Sequence, residues 1–156
     1  MKKITPFLWF DKEAEEAAKF YTSVFKNSKI KRVTRYGDAG PAPKGQVMTV
    51  DFELDGQPFT ALNGGPIFKF NESISFVVHC QDQKEIDYFW EKLTAGGGKE
   101  VECGWLKDKY GLSWQIIPAA LEKWFDDPKR ANSVMKAVLQ MKKLDIKKLQ
   151  DAYDHP

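Results

Sequence analysis

The sequence predicts an α+β fold built from two similar modules, each reading strand, helix and then two or three strands. Two observations carry this prediction. A short apolar run followed by a helical apolar stripe occurs twice, at an offset of 69 residues, and alternating strand-like segments follow each stripe. The length of 156 residues and the 42% hydrophobic content suit one domain, so we expect 1–156 to form a single domain with a real core.

The first module is predicted over about residues 1–63. The segment 4–10 reads as a strand, and the helix after it carries an apolar stripe at Ala14, Ala17, Ala18, Tyr21 and Phe25. Strand-like segments follow at 29–36, 46–54 and 57–62. The pair Asp55-Gly56 between the last two is typical of a hairpin turn, so these segments should pair as antiparallel neighbours.

The second module is predicted over about residues 71–118. A strand at 73–80 precedes a helix, and strands at 99–106 and 112–117 follow it. The helical stripe runs through Ile86, Phe89, Trp90 and Leu93. Sliding the sequence by 69 residues places Phe7 on Phe76 and Tyr21 on Trp90, which indicates an internal duplication.

Helices are predicted over about 119–153, after Pro118. Asp127 precedes Pro128 as an N-cap before a helix-starting proline, and Asp145 caps a last helix with Ile146 and Leu149 on its apolar side. These helices need a surface to cover, so we expect them to pack on the sheet or on a partner.

Composition excludes several classes of function. The net charge is only +2 and the basic residues form no long run, so a nucleic-acid partner is not expected. The apolar runs are far too short for a membrane span. Two cysteines, Cys80 and Cys103, and a start without an apolar signal region predict a cytoplasmic protein without disulfides.

Three segments resemble a known family. They are 4–11, 135–143 and the string Gly-Trp-Leu to Trp-Gln-Ile-Ile-Pro that runs from Gly104 to Pro118. All three resemble the PhnB-like branch of the vicinal oxygen chelate superfamily, which contains glyoxalases, bleomycin resistance proteins and dioxygenases. The branch is often labelled 3-demethylubiquinone-9 3-methyltransferase. The resemblance implies paired βαβββ modules that form a curled mixed sheet around a cavity, and a homodimer.

The resemblance also implies four metal-ligand positions, two in each module. Carried over position by position, they fall on Ile4, Thr60, Ser73 and Gln115, and a strand shift of two residues would replace Thr60 by Leu62. Divalent first-row metals prefer imidazole, thiolate or carboxylate, so of these four side chains only that of Gln115 could be a ligand. We therefore expect no metal site and no cofactor.

The same alternation predicts a polar pocket on the sheet face turned away from the helices. Its candidate ligand-binding residues are Asp51, Glu53, Thr60, Ser73, Ser75, Trp105, Ser113 and Gln115. Trp105 lies beside Gly104 and could form a flat wall, and Asp51 could act as a general base if it is desolvated. The alternative is that this face is simply solvated. No catalytic residue can be named.

For the remaining histidine, cysteine and tryptophan side chains considered, the sequence indicates structural rather than catalytic roles. Strand alternation makes His79 and Cys80 point apart, Cys103 reads as a small buried thiol, and Trp9, like Trp90 and Trp114, is expected in the core between layers. No glycine-rich turn opens a helix, as nucleotide-type cofactors require in a doubly wound fold, so methyl transfer is not expected.

Three hypotheses for function follow. The leading one is a metal-free protein that binds or sequesters a small molecule. The second is a metal-dependent lyase, isomerase or dioxygenase of the same fold, with Gln115 among the ligands. The third is a purely structural dimer.

Overall fold

The computed structural model describes residues 2–156 and divides the chain into two compact units, one ending at Lys69 and the other covering Phe70–Pro156. Each unit has one mixed four-stranded sheet with helices, which confirms the predicted α+β class and the βαβββ order of each module. The single domain over 1–156 stays a prediction.

The first unit follows the predicted order of elements. They are β1 (Phe7–Phe10), α1 (Ala14–Val24), β2 (Lys29–Arg35), β3 (Val47–Leu54) and β4 (Gln57–Asn63). Across the sheet the strand order is β1-β4-β3-β2, with β1 parallel to β4 and the other pairs antiparallel. The predicted hairpin turn is confirmed, since Asp55 and Gly56 both have positive φ angles, 47° and 76°.

Helix α1 covers one face of this sheet with mostly small side chains. Ala14, Ala17 and Ala18 are fully buried, which lets the helix approach the strands closely. Beneath them the Phe52 ring lies against Tyr21 and Phe59, with ring centroids 6.2 and 5.4 Å away. The predicted alternation of β3 is therefore confirmed, with its apolar side turned to the helix.

The second unit repeats this arrangement with shorter strands. They and their helix are β5 (Ser75–Cys80), α2 (Gln83–Thr94), β6 (Lys99–Glu100), β7 (Trp105–Lys107) and β8 (Ser113–Pro118), in the sheet order β5-β8-β7-β6. Asp82 caps α2 by accepting a hydrogen bond from the Glu85 backbone N–H at 2.8 Å. Ile86 and Leu93 on α2 are fully buried, and the Trp90 indole donates to Glu100 at 2.6 Å.

The duplication holds for the helices at an offset of 69, because α1 begins at residue 14 and α2 at residue 83. For the strands that offset is wrong. Phe7 is 59% exposed, whereas Phe76 packs on the buried Trp114 ring. The physical reason is the connection to the helix, which has three residues after β1 and two after β5. An offset of 70 matches Phe10 with Cys80, both buried.

Three further expectations need correction. Ile4 lies before β1 and is 82% exposed, and Ser73 lies before β5, so neither occupies a strand position. The predicted strand 99–106 is broken into β6 and β7, because Cys103 and Gly104 between them have positive φ angles. Trp9 is only partly buried and packs edge-on against the exposed Phe68 ring, rather than between sheet and helix.

The C-terminal helices are α3 (Leu121–Phe125), α4 (Pro128–Val138) and α5 (Ile146–Asp154). Asp127 and Asp145 cap α4 and α5 as predicted. The helices bury a cluster that starts on β8, made of Ile117, Leu121, Trp124, Val134, Val138, Leu144 and Leu149. No helix within residues 2–156 has the length and apolarity needed to cross a membrane.

Two backbone hydrogen bonds join the loop between α4 and α5 to the connection between β6 and β7. The N–H groups of Cys103 and Gly104 donate to the carbonyls of Met141 and Lys142, each at 2.8 Å. Gly104 has a φ of +83°, and a Cβ there would meet Leu144 at 3.1 Å. Glycine is therefore required at this position both for the backbone angle and for the close approach.

Candidate functional site

Each sheet has one face turned away from its helix, which we call the open face. The first open face is formed by Phe7, Trp9, Thr49, Asp51, Glu53, Thr60 and Leu62. The second open face is formed by Ser75, Val77, His79, Lys99, Trp105, Lys107, Ser113, Gln115 and Ile117. These sets follow from the register, because residues directly opposite each other on paired strands share a face.

On the first open face the predicted polar residues are already paired with protein groups. Thr60 lies opposite Asp51 and donates its hydroxyl hydrogen to the carboxylate at 2.7 Å. Glu53 forms an ion pair with Lys31 at 3.1 Å. Thr60 and Leu62 both lie on this face, opposite Phe7 and Trp9 on β1. The carboxylates are half-buried, so this face resembles a solvated polar surface more than a desolvated pocket.

The second open face brings four of the predicted binding residues together. Ser75 lies opposite Ser113, and Trp105 lies opposite Gln115. The Gln115 side-chain amide donates to the Ser75 hydroxyl at 2.9 Å. The fifth predicted residue of this unit, Ser73, lies outside the sheet, where its hydroxyl donates to the Asn71 side chain at 2.6 Å.

Ser113 is the most unusual residue of this set. Its side chain is completely buried, and its hydroxyl oxygen has no hydrogen-bond partner among residues 2–156. Leaving a buried hydroxyl unpaired costs about 1–3 kcal/mol. Such a group calls for an explanation, and an absent partner that supplies the hydrogen bond is one.

The sequence prediction missed two charged residues next to Ser113. Lys107 lies directly opposite Ser113 on β7, and its ammonium forms an ion pair with Glu72. The Lys107 ammonium donates a hydrogen bond to the Glu72 carboxylate and so lowers the pKa of that carboxyl below its ordinary value. The alternation from Trp105 onward would have placed Lys107 on this face, had the hairpin register been known.

That register depends on Asp108, which lies directly after β7 at the turn to β8. Its carboxylate is buried and accepts hydrogen bonds from three N–H groups, those of the Tyr110 backbone at 2.8 Å, the Leu112 backbone at 3.1 Å and the Trp114 indole at 2.9 Å. These bonds fix the turn between β7 and β8. Asp108 therefore holds Lys107 opposite Ser113.

No cluster of potential metal ligands among residues 2–156 includes Cys80, Cys103 or His79. Cys80 is buried on the helix side, and desolvation raises the pKa of its thiol from 9.0 to about 12. His79 is exposed on the opposite face, as predicted, and Cys103 is partly buried in the C-terminal cluster. Within residues 2–156 no three His, Cys, Asp or Glu side chains are grouped to hold a metal ion.

The superfamily's metal does not fit the second open face. The polar side chains of this face carry hydroxyl, amide and ammonium groups, and there is one exposed imidazole, that of His79 near the end of β5. Transition metals bind hydroxyls and amides weakly, and an ammonium repels a cation. We therefore assign no chemistry to a metal on this face.

Residues 2–117 match the family described as 3-demethylubiquinone-9 3-methyltransferase. The chain belongs to this family. Among solved structures, the putative 3-demethylubiquinone-9 3-methyltransferase, PhnB protein, from Bacillus cereus shares 38% of its residues with this family member, at a TM-score of 0.69. The similarity covers 76% of this chain and 100% of the Bacillus chain, and it confirms the predicted PhnB-like resemblance.

Two more distant structures share the fold alone. The protein PA1353 from Pseudomonas aeruginosa is 17% identical with a TM-score of 0.61, covering 76% of this chain and 98% of its own. The fosfomycin resistance protein FosX from Listeria monocytogenes is 14% identical with a TM-score of 0.55, covering 79% and 97%. The family member therefore has the glyoxalase/bleomycin resistance fold. No curated protein sequence matches the chain.

Proposed function

We propose that this family member binds a small organic molecule on its second open face, without a metal ion. The buried, unpaired hydroxyl of Ser113 carries the proposal. A ligand atom that exchanges a hydrogen bond with Ser113 would offset the cost of that hydroxyl, and this gain exists only in the complex. Ser113 is thus better suited to recognition than to folding.

Neighbouring groups provide further contacts for such a ligand. The Gln115 amide is oriented by its hydrogen bond to Ser75, so the polar groups beside Ser113 are held in place before a ligand arrives. Trp105 lies opposite Gln115 and is partly exposed, which suits it to pack against a flat or apolar part of the ligand. A few fixed polar groups beside an aromatic wall are typical of small-molecule sites.

The donor set favours binding over the alternative of metal-dependent catalysis with Gln115. No carboxylate or thiolate among the described strand residues of this face could bind a metal together with the Gln115 amide oxygen, and a Lys107 ammonium shares the face. The family's descriptive name refers to methyl transfer, but each helix here begins after Glu13, Asp82, Ala120, Asp127 or Asp145, and none follows a glycine-rich turn. Sequestration of a ligand is the activity we propose.

The proposal also covers the oligomeric state and the cellular location of the protein. We propose a homodimer, since β5 is an edge strand of its sheet and carries no Asp, Glu, Lys or Arg. A cytoplasmic location is proposed as well, supported by two free cysteines.

A thermal-shift screen of small metabolites, run on chelator-treated protein, tests the proposal. A ligand at a hundred times its dissociation constant should add about 2.7 kcal/mol of apparent stability. Ser113→Ala and Gln115→Ala should remove most of that shift, whereas Ser73→Ala, which alters an exposed serine outside the sheet, should keep it.

Two results would contradict the proposal. One is a ligand whose shift survives Ser113→Ala and Gln115→Ala unchanged. The other is elemental analysis of untreated protein that finds a stoichiometric transition metal, which would favour the metal-dependent lyase, isomerase or dioxygenase instead.

A further inference from the structure

The polar residues of the second open face form a row that crosses all four strands. Lys99 on β6 lies opposite Lys107 on β7, Lys107 lies opposite Ser113 on β8, and Ser113 lies opposite Ser75 on β5. The row therefore places two ammonium groups and two hydroxyls side by side. All four groups can donate hydrogen bonds to an anion.

This face is positively charged. The residues that the four strands contribute to it include Lys99 and Lys107, while none of these described strand residues is a carboxylate. The one acidic residue of this sheet's strands, Glu100, lies on the helix side and accepts the hydrogen bond of Trp90. Such a one-sided distribution attracts anions and repels cations.

The carboxylate that reaches Lys107 comes from outside the sheet. Glu72 lies three residues before β5, and its ion pair with Lys107 joins the start of β5 to β7 across the intervening strand β8. Ser113 is on β8, in the same row and between the strands that the pair joins. The ion pair and the fully buried Ser113 side chain are therefore neighbours on this face.

The Glu72 carboxylate can be displaced from Lys107 by another anion. The Glu72 side chain is 56% exposed and that of Lys107 is 30% exposed. Exposed ion pairs are weak, because water competes well for both charges. Another anion of similar shape can therefore replace Glu72 at little cost, and Glu72 has no strand position that would hold it in place.

We propose that the ligand of the second open face is an anion, and that its carboxylate or phosphoryl group takes the place of the Glu72 carboxylate on Lys107 and accepts the hydrogen bond of the Ser113 hydroxyl. Glu72 then acts as an internal competitor that covers the site when it is empty. This inference rests on the proposed function, since it names the chemical class of the same site's ligand.

Titration of ¹⁵N-labelled protein with inorganic phosphate, at constant ionic strength, tests the inference. The signals to follow are the Ser113 backbone amide and the Trp105 indole N–H. Glu72→Gln should tighten phosphate binding about threefold to fivefold, because it removes a weak competitor. Lys107→Met should weaken binding by at least about tenfold, which is the usual size of a lost charge-assisted hydrogen bond.

The matched control is Glu53→Gln, which breaks the Lys31 ion pair on the first open face and should leave phosphate binding unchanged. A Glu72→Gln protein with unaltered phosphate affinity would overturn the inference, and so would tight binding by Lys107→Met. If Lys107→Met fails to fold, Ser113→Ala decides, because it should weaken phosphate binding while Ser73→Ala does not.

The two proposals can fail separately. A neutral metabolite whose affinity falls in Ser113→Ala and Gln115→Ala but is unchanged in Lys107→Met would contradict the anionic ligand. The proposed binding function would still stand. Failure of both phosphate and the metabolite screen to shift any signal of this face would contradict both.

Discussion

The Asp108 carboxylate accepts the indole hydrogen of Trp114 at 2.9 Å, inside the turn that joins β7 to β8. Together with two backbone N–H groups, this makes Asp108 a buried acceptor of three N–H hydrogen bonds at the turn. The turn sets the register of the second open face, so stability and site geometry depend on the same side chain.

Asp108→Ala should lower the free energy of unfolding by at least about 3 kcal/mol, since it removes the acceptor of two buried hydrogen bonds and one part-buried hydrogen bond. Urea denaturation followed by tryptophan fluorescence measures this. Asp108→Asn keeps one acceptor oxygen for the backbone donors and should cost less. A loss below about 0.5 kcal/mol for the alanine variant would show that the turn does not need the carboxylate.

Ser113→Ala should have the opposite effect on stability. Removing a buried hydroxyl that has no partner should raise the free energy of unfolding by about 1 kcal/mol. Ser75→Ala is the matched control, because Ser75 accepts a hydrogen bond from Gln115 and its loss should be destabilising by a similar amount. If both variants are destabilised equally, the Ser113 hydroxyl has a partner within the folded chain.

Cys80 predicts a loss of stability at alkaline pH. Its thiol has a folded pKa of about 12 against 9.0 in an open chain, so between these values the folded state holds a proton that the unfolded state has released. The free energy of unfolding therefore falls as pH rises above 9, by up to about 1.4 kcal/mol per pH unit. Below pH 9 the thiol is protonated in both states and contributes no slope.

Comparing wild type with Cys80→Ala in urea at pH 8 to 10.5 isolates this effect, because lysines and tyrosines titrate in both proteins. The difference between the two should shrink or reverse as pH rises. Parallel pH profiles would show that Cys80 is not desolvated. An alkylating reagent at pH 8 should also leave Cys80 unmodified until the protein is unfolded.

The proposed homodimer should have a solution mass of twice the 17.9 kDa of one chain, measured by light scattering. Edge strands that must stay unpaired are usually charged, as β2 is with four basic residues, but β5 has no lysine or arginine. Val77→Lys on β5 should therefore reduce the mass to that of one chain. Val33→Lys on β2 is the control and should not.

Much of the fold could be predicted because its signals are local. The α1 stripe from Ala14 to Tyr21, the alternation of β3 and the Asp55-Gly56 turn each need only a few neighbouring residues, and all three are confirmed. The predicted last member of the stripe, Phe25, is wrong, because the helix ends at Val24. The strand offset could not be predicted in this way, since one extra residue before α1 reverses the face of every β1 side chain. Trp9 was misplaced for that reason.

The candidate site shows the same limit more strongly. Ser75, Trp105, Ser113 and Gln115 could be predicted from alternation along single strands, and the register places them on one face. Lys107 and Glu72 could not, because their relationship depends on a hairpin register and on a segment outside any strand. The strand positions predicted for Ser73 and Ile4 are wrong, because both strands begin later than the apolar pattern suggests.

The match to the family ends at residue 117, but the cluster beneath the last three helices begins there, on Ile117. A chain cut at that boundary would expose this side chain and leave the amides of Cys103 and Gly104 without their acceptors at Met141 and Lys142. Trp105 is the next residue, so fraying would spread directly into β7 and the second open face. In this chain the C-terminal helices therefore stabilise the sheet of the matched region, although they lie outside the match.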